Sequence, residues 1–264
     1  MKKFLSFTLF FFVMNLCLQA ATKQKRQEVD FNKIHGSTVI FTFGQSNSAN
    51  YGQKQYLYTA EHDVYNYYKG KLYKAQDPLL GATGPGASVW GRLGDKLIEA
   101  GLTESVTIVP IGIGGVTVGS WAKGGANHSL LEKTLDELLA KNIRIDCICW
   151  HQGESDNIKN TSTEEYMEQF LTIREAFRER GIKAPIVVAV ASYHPLCLEE
   201  ERGCSSDIRN AQKRLAKEYK DIYPGPDTDK LDKCYQRADG IHFSHVGQQQ
   251  HAALWVDALR RLLK

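Results

Sequence analysis

Two separated segments of this 264-residue sequence carry the groups that nucleophilic catalysis requires. Ser46 follows Gly44-Gln45 directly after an apolar run, where a tight turn would lift its hydroxyl off the end of a strand. A serine becomes nucleophilic only when a base takes its proton. The segment Asp239-Gly240-Ile241-His242 offers such a base, with an acid three residues before it. That spacing lets the carboxylate turn back onto imidazole Nδ1 and fix its tautomer while Nε2 faces a nucleophile. Each feature alone has a plainer use, since a serine after a strand also caps helices and an Asp-Gly turn before a surface histidine is common.

Two further segments add polar groups. Gly114-Gly115 follows an apolar run, and a glycine there brings a backbone N–H close to a reacting atom with no side chain in the way. The loop lacks GxxxxGK[ST] and Lys123 is out of place for it, which argues against a phosphate cradle. In Trp150-His151-Gln152-Gly153-Glu154-Ser155-Asp156, Gln152 can donate two N–H bonds and Glu154 can orient a neighbour. A buried polar network holding the loop is the alternative use. His151, His194, His242 and His245 follow no HExxH spacing, so a metal is not expected.

The elements that must position these groups are legible from periodicity. Short β-branched runs at 37–43, 105–113, 143–150 and 185–192 alternate with amphipathic helical stretches, the pattern of a parallel sheet covered on both faces. A hairpin is read at 64–73, turning at Lys69-Gly70. Helices are expected at 89–100, 128–140, 163–180, 206–219 and 246–263. The third has a capping box in Ser162 and Glu165, an aromatic stripe of Tyr166, Phe170 and Phe177, and Gly181 as its stop. Ligands of such sheets sit beyond the carboxyl ends of the strands. Gly44-Gln45-Ser46-Asn47, Gly112 to Gly115, His151 to Glu154 and Tyr193-His194-Pro195 all fall on that rim.

Lys2 and Lys3 precede an apolar run at 4–18 that closes on Gln19-Ala20-Ala21, the pattern of a cleaved signal peptide over 1–21. The run is shorter than the roughly 20 residues that span a bilayer. The chain therefore reads as signal peptide 1–21, N-terminal lead-in 22–34 and one domain 35–264. It is expected to be exported, periplasmic or extracellular, without stable membrane insertion after cleavage. The net charge of +3 is small and its bases are scattered among acids, so nucleic acid is not an expected partner. Of six cysteines, loss of Cys17 leaves five; Cys197 and Cys204 flank a polar loop and could pair, whereas Cys147 and Cys149 read as buried on a strand.

Together the four blocks resemble the SGNH, or GDSL-type, hydrolase superfamily. Gly44-Gln45-Ser46-Asn47, Gly114-Gly115 with Trp121 downstream, Trp150-His151-Gln152-Gly153-Glu154 and Asp239-Gly240-Ile241-His242 are similar to its branch of sialate O-acetylesterases and acetylxylan esterases, over about residues 37 to 262. Gln45 and Gln152 stand where the wider superfamily has Asp and Asn, which is typical of that branch. The resemblance implies an α/β fold, a three-layer α/β/α sandwich with a central, mainly parallel five-stranded sheet of flavodoxin-like type. It implies a serine esterase with Ser46 as nucleophile, His242 as base, and an oxyanion hole of the Ser46 and Gly115 N–H groups and the Gln152 amide. Asp239 has the superfamily position of the acid and is favoured, while Glu154 is the distinctive acid of the branch and contests the role. Asn47 is expected to brace the nucleophile turn. No cofactor is implied.

The expected substrate is an acetylated carbohydrate, whether acetylxylan, another polysaccharide or sialic acid. Trp121 and Tyr193 are candidates to stack on a sugar ring, and Asn50, Tyr51 and His194 to give polar contacts. The competing readings are a lipid or thioester hydrolase of the same fold and a non-catalytic glycan-binding protein.

Overall fold

The computed structural model describes residues 26–197 and 203–263, without the side chain of Cys197. The expected signal segment and the polar loop after Cys197 lie outside the described residues. None of the described helices is long and apolar enough to cross a membrane.

The β-branched and aromatic runs form one sheet of eight strands: β1 (Glu28–Val29), β2 (Thr38–Gly44), β3 (Val64–Tyr68), β4 (Lys71–Lys74), β5 (Val106–Pro110), β6 (Cys147–His151), β7 (Ile186–Val190) and β8 (Ile222–Asp227). Their order is β1-β4-β3-β5-β2-β6-β7-β8. The run β3-β5-β2-β6-β7-β8 is parallel throughout, and β4 pairs antiparallel with both β1 and β3. The sheet thus has eight strands rather than the expected five. β8, Ile-Tyr-Pro-Gly-Pro-Asp, is not among the expected strands: proline cannot donate to a ladder, but at the sheet edge one side needs no donors. β1 is two residues long, too short to show alternation, and draws part of the expected lead-in into the sheet.

The alternation along β2 sorts the two faces. Val39, Phe41 and Phe43 pack on one side with helices α3 (His128–Ala140), α5 (Thr163–Arg178) and α6 (Ser206–Glu218). Phe177 meets both Phe41 and Phe43 edge-on or tilted, with centroids 5.5 and 5.9 Å away. Ile40 faces the other side with α1 (Val89–Glu99) and α7 (His245–Leu259), where Trp90 and Trp255 pack 5.3 Å apart. Cys147 and Cys149 are free and buried on that face, as read from their apolar strand. Two short helices complete the set, α2 (Val118–Trp121) and α4 (Glu154–Lys159). Ser88, Ser162, Ser205 and Ser244 cap α1, α5, α6 and α7 by accepting from first-turn N–H groups.

Candidate active site

The site begins where β2 ends. Gly44 pairs in register with His151 of β6 and has φ +137°, and a Cβ there would lie 2.0 Å from the His151 carbonyl oxygen. Only glycine fits that close approach. The chain then turns through a 3-10 segment, Ser46–Ser48, closed by Ala49 N–H donating to the Ser46 carbonyl at 3.0 Å. Two indoles pin this turn from opposite faces of the sheet: Trp121 Nε1–H donates to the Gly44 carbonyl at 3.2 Å and Trp90 Nε1–H to the Ser48 carbonyl at 2.7 Å. Ser46 is left 5% exposed on the rim.

Asp239 and His242 meet as their spacing predicts. His242 Nδ1–H donates to Asp239 Oδ2 at 2.7 Å, and the backbone N–H groups of Ile241 and His242 donate to Asp239 Oδ1 at 2.9 and 2.7 Å. Burial pushes the Asp239 carboxyl up, but the His242 ring and these N–H groups outweigh it and hold it below the usual value. The imidazole stacks on Tyr51, with ring centroids 5.5 Å apart and planes at 26°.

Asn47 joins the two segments across nearly 200 residues of sequence. Its Nδ2 donates to Glu154 Oε1 at 2.8 Å and to the Ile241 carbonyl at 3.4 Å, and its Oδ1 accepts from Phe243 N–H at 3.4 Å. The residues on both sides of His242 are thereby held against the residue after Ser46. Glu154 does not bond to the imidazole: one oxygen is taken by Asn47 and the other is buried without a partner.

The third block is a closed network. Gln45 Oε1 accepts from Gln152 Nε2 and from the N–H groups of Gly153 and Ser155, at 3.1, 3.3 and 3.0 Å. Gln152 Nε2 also donates to the Val116 carbonyl at 3.1 Å and to Asp156, so both amide hydrogens are committed inside the loop. To serve the expected oxyanion hole, this amide would have to give up one of these acceptors. The N–H groups of Ser46 and Gly115, in contrast, have no acceptor among the described residues. Gly115 has φ +71° and open space where a Cβ would point.

The expected substrate contacts divide. Trp121 is fully buried, edge-on to Phe43 at 5.4 Å, and serves the nucleophile turn rather than a sugar. Tyr193 is not the expected open platform either, because it is buried and its ring is covered by the Arg237 guanidinium at 4.8 Å. Asn50 spends its amide on the Leu79 and Ala82 carbonyls and on Leu79 N–H. His194 stays at the site. Its Nδ1 accepts from Leu196 N–H at 3.2 Å, so the neutral ring carries its hydrogen on Nε2. Burial holds this imidazole below its ordinary value, against Glu154 and together with His242. Cys204 is a free thiol, raised to about 12 by burial and by neighbouring Asp229.

Arg237 escapes sequence reasoning because it lies in a loop with no periodicity. It is 4% exposed, and its guanidinium donates to the Leu231, Ile241 and Thr228 carbonyls at 2.7, 2.5 and 3.2 Å while lying 4.2 Å over the Phe243 ring. Burial lowers its pKa, opposed by Glu154 and Asp229. An isolated bridge pairs Arg237 with Phe243 and closes the small loop that carries Asp239 and His242.

A cavity of about 310 Å³ opens beside this loop, lined by Tyr51, Gln53, Lys54, Gln55, Asp239 and His242 among others. A nucleophile turn, an oriented imidazole, two free N–H groups and a cavity at one rim suit acyl transfer to water.

Comparison with known proteins agrees with this chemistry. A family model described as "Carbohydrate esterase, sialic acid-specific acetylesterase" matches residues 37–261. No curated protein sequence matches the chain. Among solved structures, a protein of Arabidopsis thaliana superposes with TM-score 0.65 at 15% identity, covering 87% of this chain and 100% of its own. NanS gives 0.57 at 14% over 85% and 97%, and a lipase/acylhydrolase from Enterococcus faecalis 0.54 at 16% over 86% and 97%. At these identities the likeness is one of fold.

Proposed function

Because this chain belongs to the carbohydrate esterase family of sialic acid-specific acetylesterases, we propose that it hydrolyses O-acetyl esters on carbohydrate through an acetyl-serine intermediate. Ser46 Oγ attacks the acetyl carbonyl as His242 Nε2 takes its proton. The C=O π bond opens to an oxyanion that the N–H groups of Ser46 and Gly115 receive, each such donor being worth about 3 kcal/mol. Collapse expels the sugar oxygen, which takes the proton back from His242. Water then attacks the acetyl-serine by the same route and releases acetate. Asp239 orients the imidazole, and Glu154 acts one step removed, through Asn47.

The observation that carries this reading is the 2.7 Å contact between Asp239 Oδ2 and His242 Nδ1, in a loop that Asn47 ties to the nucleophile turn. The amides and ammonium of Gln53, Gln55 and Lys54 in the adjoining cavity support a hydroxyl-rich leaving group over a long acyl chain. The N-terminal segment 1–21 supports export to the periplasm or outside the cell, where acetylated glycans are met.

Acetate release from acetylated xylan, O-acetylated sialosides and acetylated peptidoglycan is expected from the native chain and not from Ser46→Ala. Ser46 is also expected to be the residue labelled by a fluorophosphonate. A Ser46→Ala variant with native turnover would sink the proposal.

A further inference from the structure

The cavity beside His242, about 310 Å³, is larger than an acetyl group needs. Its lining includes Gln53, Lys54 and Gln55, and the next residue along the chain, Tyr56, is 48% exposed. The Tyr56 ring is held in place: it stacks on His245 with centroids 4.8 Å apart and planes at 29°. His245 in turn donates its backbone N–H to Gln53 Oε1 at 3.1 Å, and Gln53 N–H donates to the Phe243 carbonyl at 3.2 Å. The loop bearing Tyr56 is therefore fastened to the segment just after His242. Leu57 and Val246, both exposed, lie on the same two segments, and the exposed Tyr235 is tied to the second, its carbonyl accepting from Ser244 Oγ–H at 2.6 Å.

An exposed aromatic ring held one residue beyond a cavity that carries amide and ammonium groups is a feature of binding surfaces. The electron-rich face of a fixed tyrosine matches the C–H face of a sugar ring, while the amides of Gln53 and Gln55 and the Lys54 ammonium match its hydroxyls.

We infer that Tyr56 and the surface around it bind further sugar units of a glycan chain whose acetylated residue lies at Ser46, so that the substrate is an oligomer or polymer rather than a single acetylated sugar. This rests on the proposed esterase activity, and 4-nitrophenyl acetate, too small to reach Tyr56, tests that activity separately.

The experiment compares kcat/KM for acetylated xylose with acetylated xylopentaose, and for O-acetyl sialic acid with an O-acetylated sialyl-oligosaccharide, in the native chain and in Tyr56→Ala. In at least one series kcat/KM is expected to rise tenfold or more with chain length, mainly through KM. Tyr56→Ala should abolish that rise and leave 4-nitrophenyl acetate turnover unchanged, with Tyr56→Trp preserving it. Equal kcat/KM for short and long glycans, or a rise that survives in Tyr56→Ala, overturns the inference. So does a gain along 4-nitrophenyl acetate, butyrate and octanoate that Tyr56→Ala removes, which would assign the surface to an acyl chain. Inactivity toward 4-nitrophenyl acetate would instead count against the esterase reading.

Discussion

The side-chain amide of Asn47 donates to the carboxylate of Glu154 at 2.8 Å and reaches the Ile241 carbonyl at 3.4 Å with the same nitrogen. The residue after the nucleophile thus connects the acid of one loop to the backbone beside the base of another. This separates the two carboxylates that the sequence leaves in competition, since Asp239 holds the ring and Glu154 holds what holds the loop.

Asp239→Asn should lower kcat on the order of 10³- to 10⁴-fold, because an amide permits the wrong imidazole tautomer. Glu154→Gln keeps an acceptor for Asn47 and should cost about tenfold, the equivalent of 1.4 kcal/mol. Acetate-release kinetics on both variants provide the check, and the reverse ranking would return the orienting role to Glu154.

Arg237 should act through position. Replacing a buried cation by an apolar side chain can be nearly neutral in itself, but here it strands the Leu231 carbonyl at about 1–3 kcal/mol and leaves the Ile241 and Thr228 carbonyls only Asn47 Nδ2 and the Leu231 N–H. Arg237→Met is expected to be clearly less heat-stable. Arg237→Lys keeps the charge but loses the fork to separate carbonyls, so it should fold, retain KM and lose kcat by about 10²-fold, as an ångström-scale displacement of His242 would. Native kcat per fluorophosphonate-titrated site in Arg237→Lys would refute this.

Gln152 offers a direct choice between two roles. As a buried network member, Gln152→Ala should lower stability by about 1–3 kcal/mol, because Gln45, Val116 and Asp156 lose a donor. A transition-state donor would instead cost 10²–10³-fold in kcat with little loss of stability, by the usual size of one oxyanion contact. Urea unfolding and turnover measured on one preparation distinguish them.

The pH dependence of stability should reflect two buried imidazoles behind the site. His151 and His251, with rings 4.8 Å apart, are both held below the ordinary histidine value by burial. A lowered folded-state value means that the unfolded chain binds protons first, so their stabilisation is fully present above about pH 6.5 and is lost as pH falls below it. Each can contribute up to about 1.4 kcal/mol per pH unit. Melting temperatures between pH 8 and pH 5 should therefore fall on the acid side, and less steeply in His251→Gln. An unchanged slope in that variant would show that His251 is not the source.

Sequence alone determined the parallel α/β plan, because burial on both faces of a sheet writes β-branched runs and helical stripes directly into the chain. It also made Asp239 the favoured partner of His242, since three residues of turn can bring the carboxylate back to the ring, but it left Glu154 in competition. Ser46 on the rim followed from Gly44 at a strand end. Tertiary structure decided what depends on partners far along the chain. Trp121 looks like a sugar platform until Phe43 and the Gly44 carbonyl enclose it, and Gln152 looks like a free donor until three acceptors claim its two hydrogens. Arg237 has no local pattern, and its role exists only because Ile241, Thr228, Phe243 and Tyr193 converge around it. β8 was hidden for a related reason, as its prolines contradict a strand except at an edge, and edge position is a property of the assembled sheet.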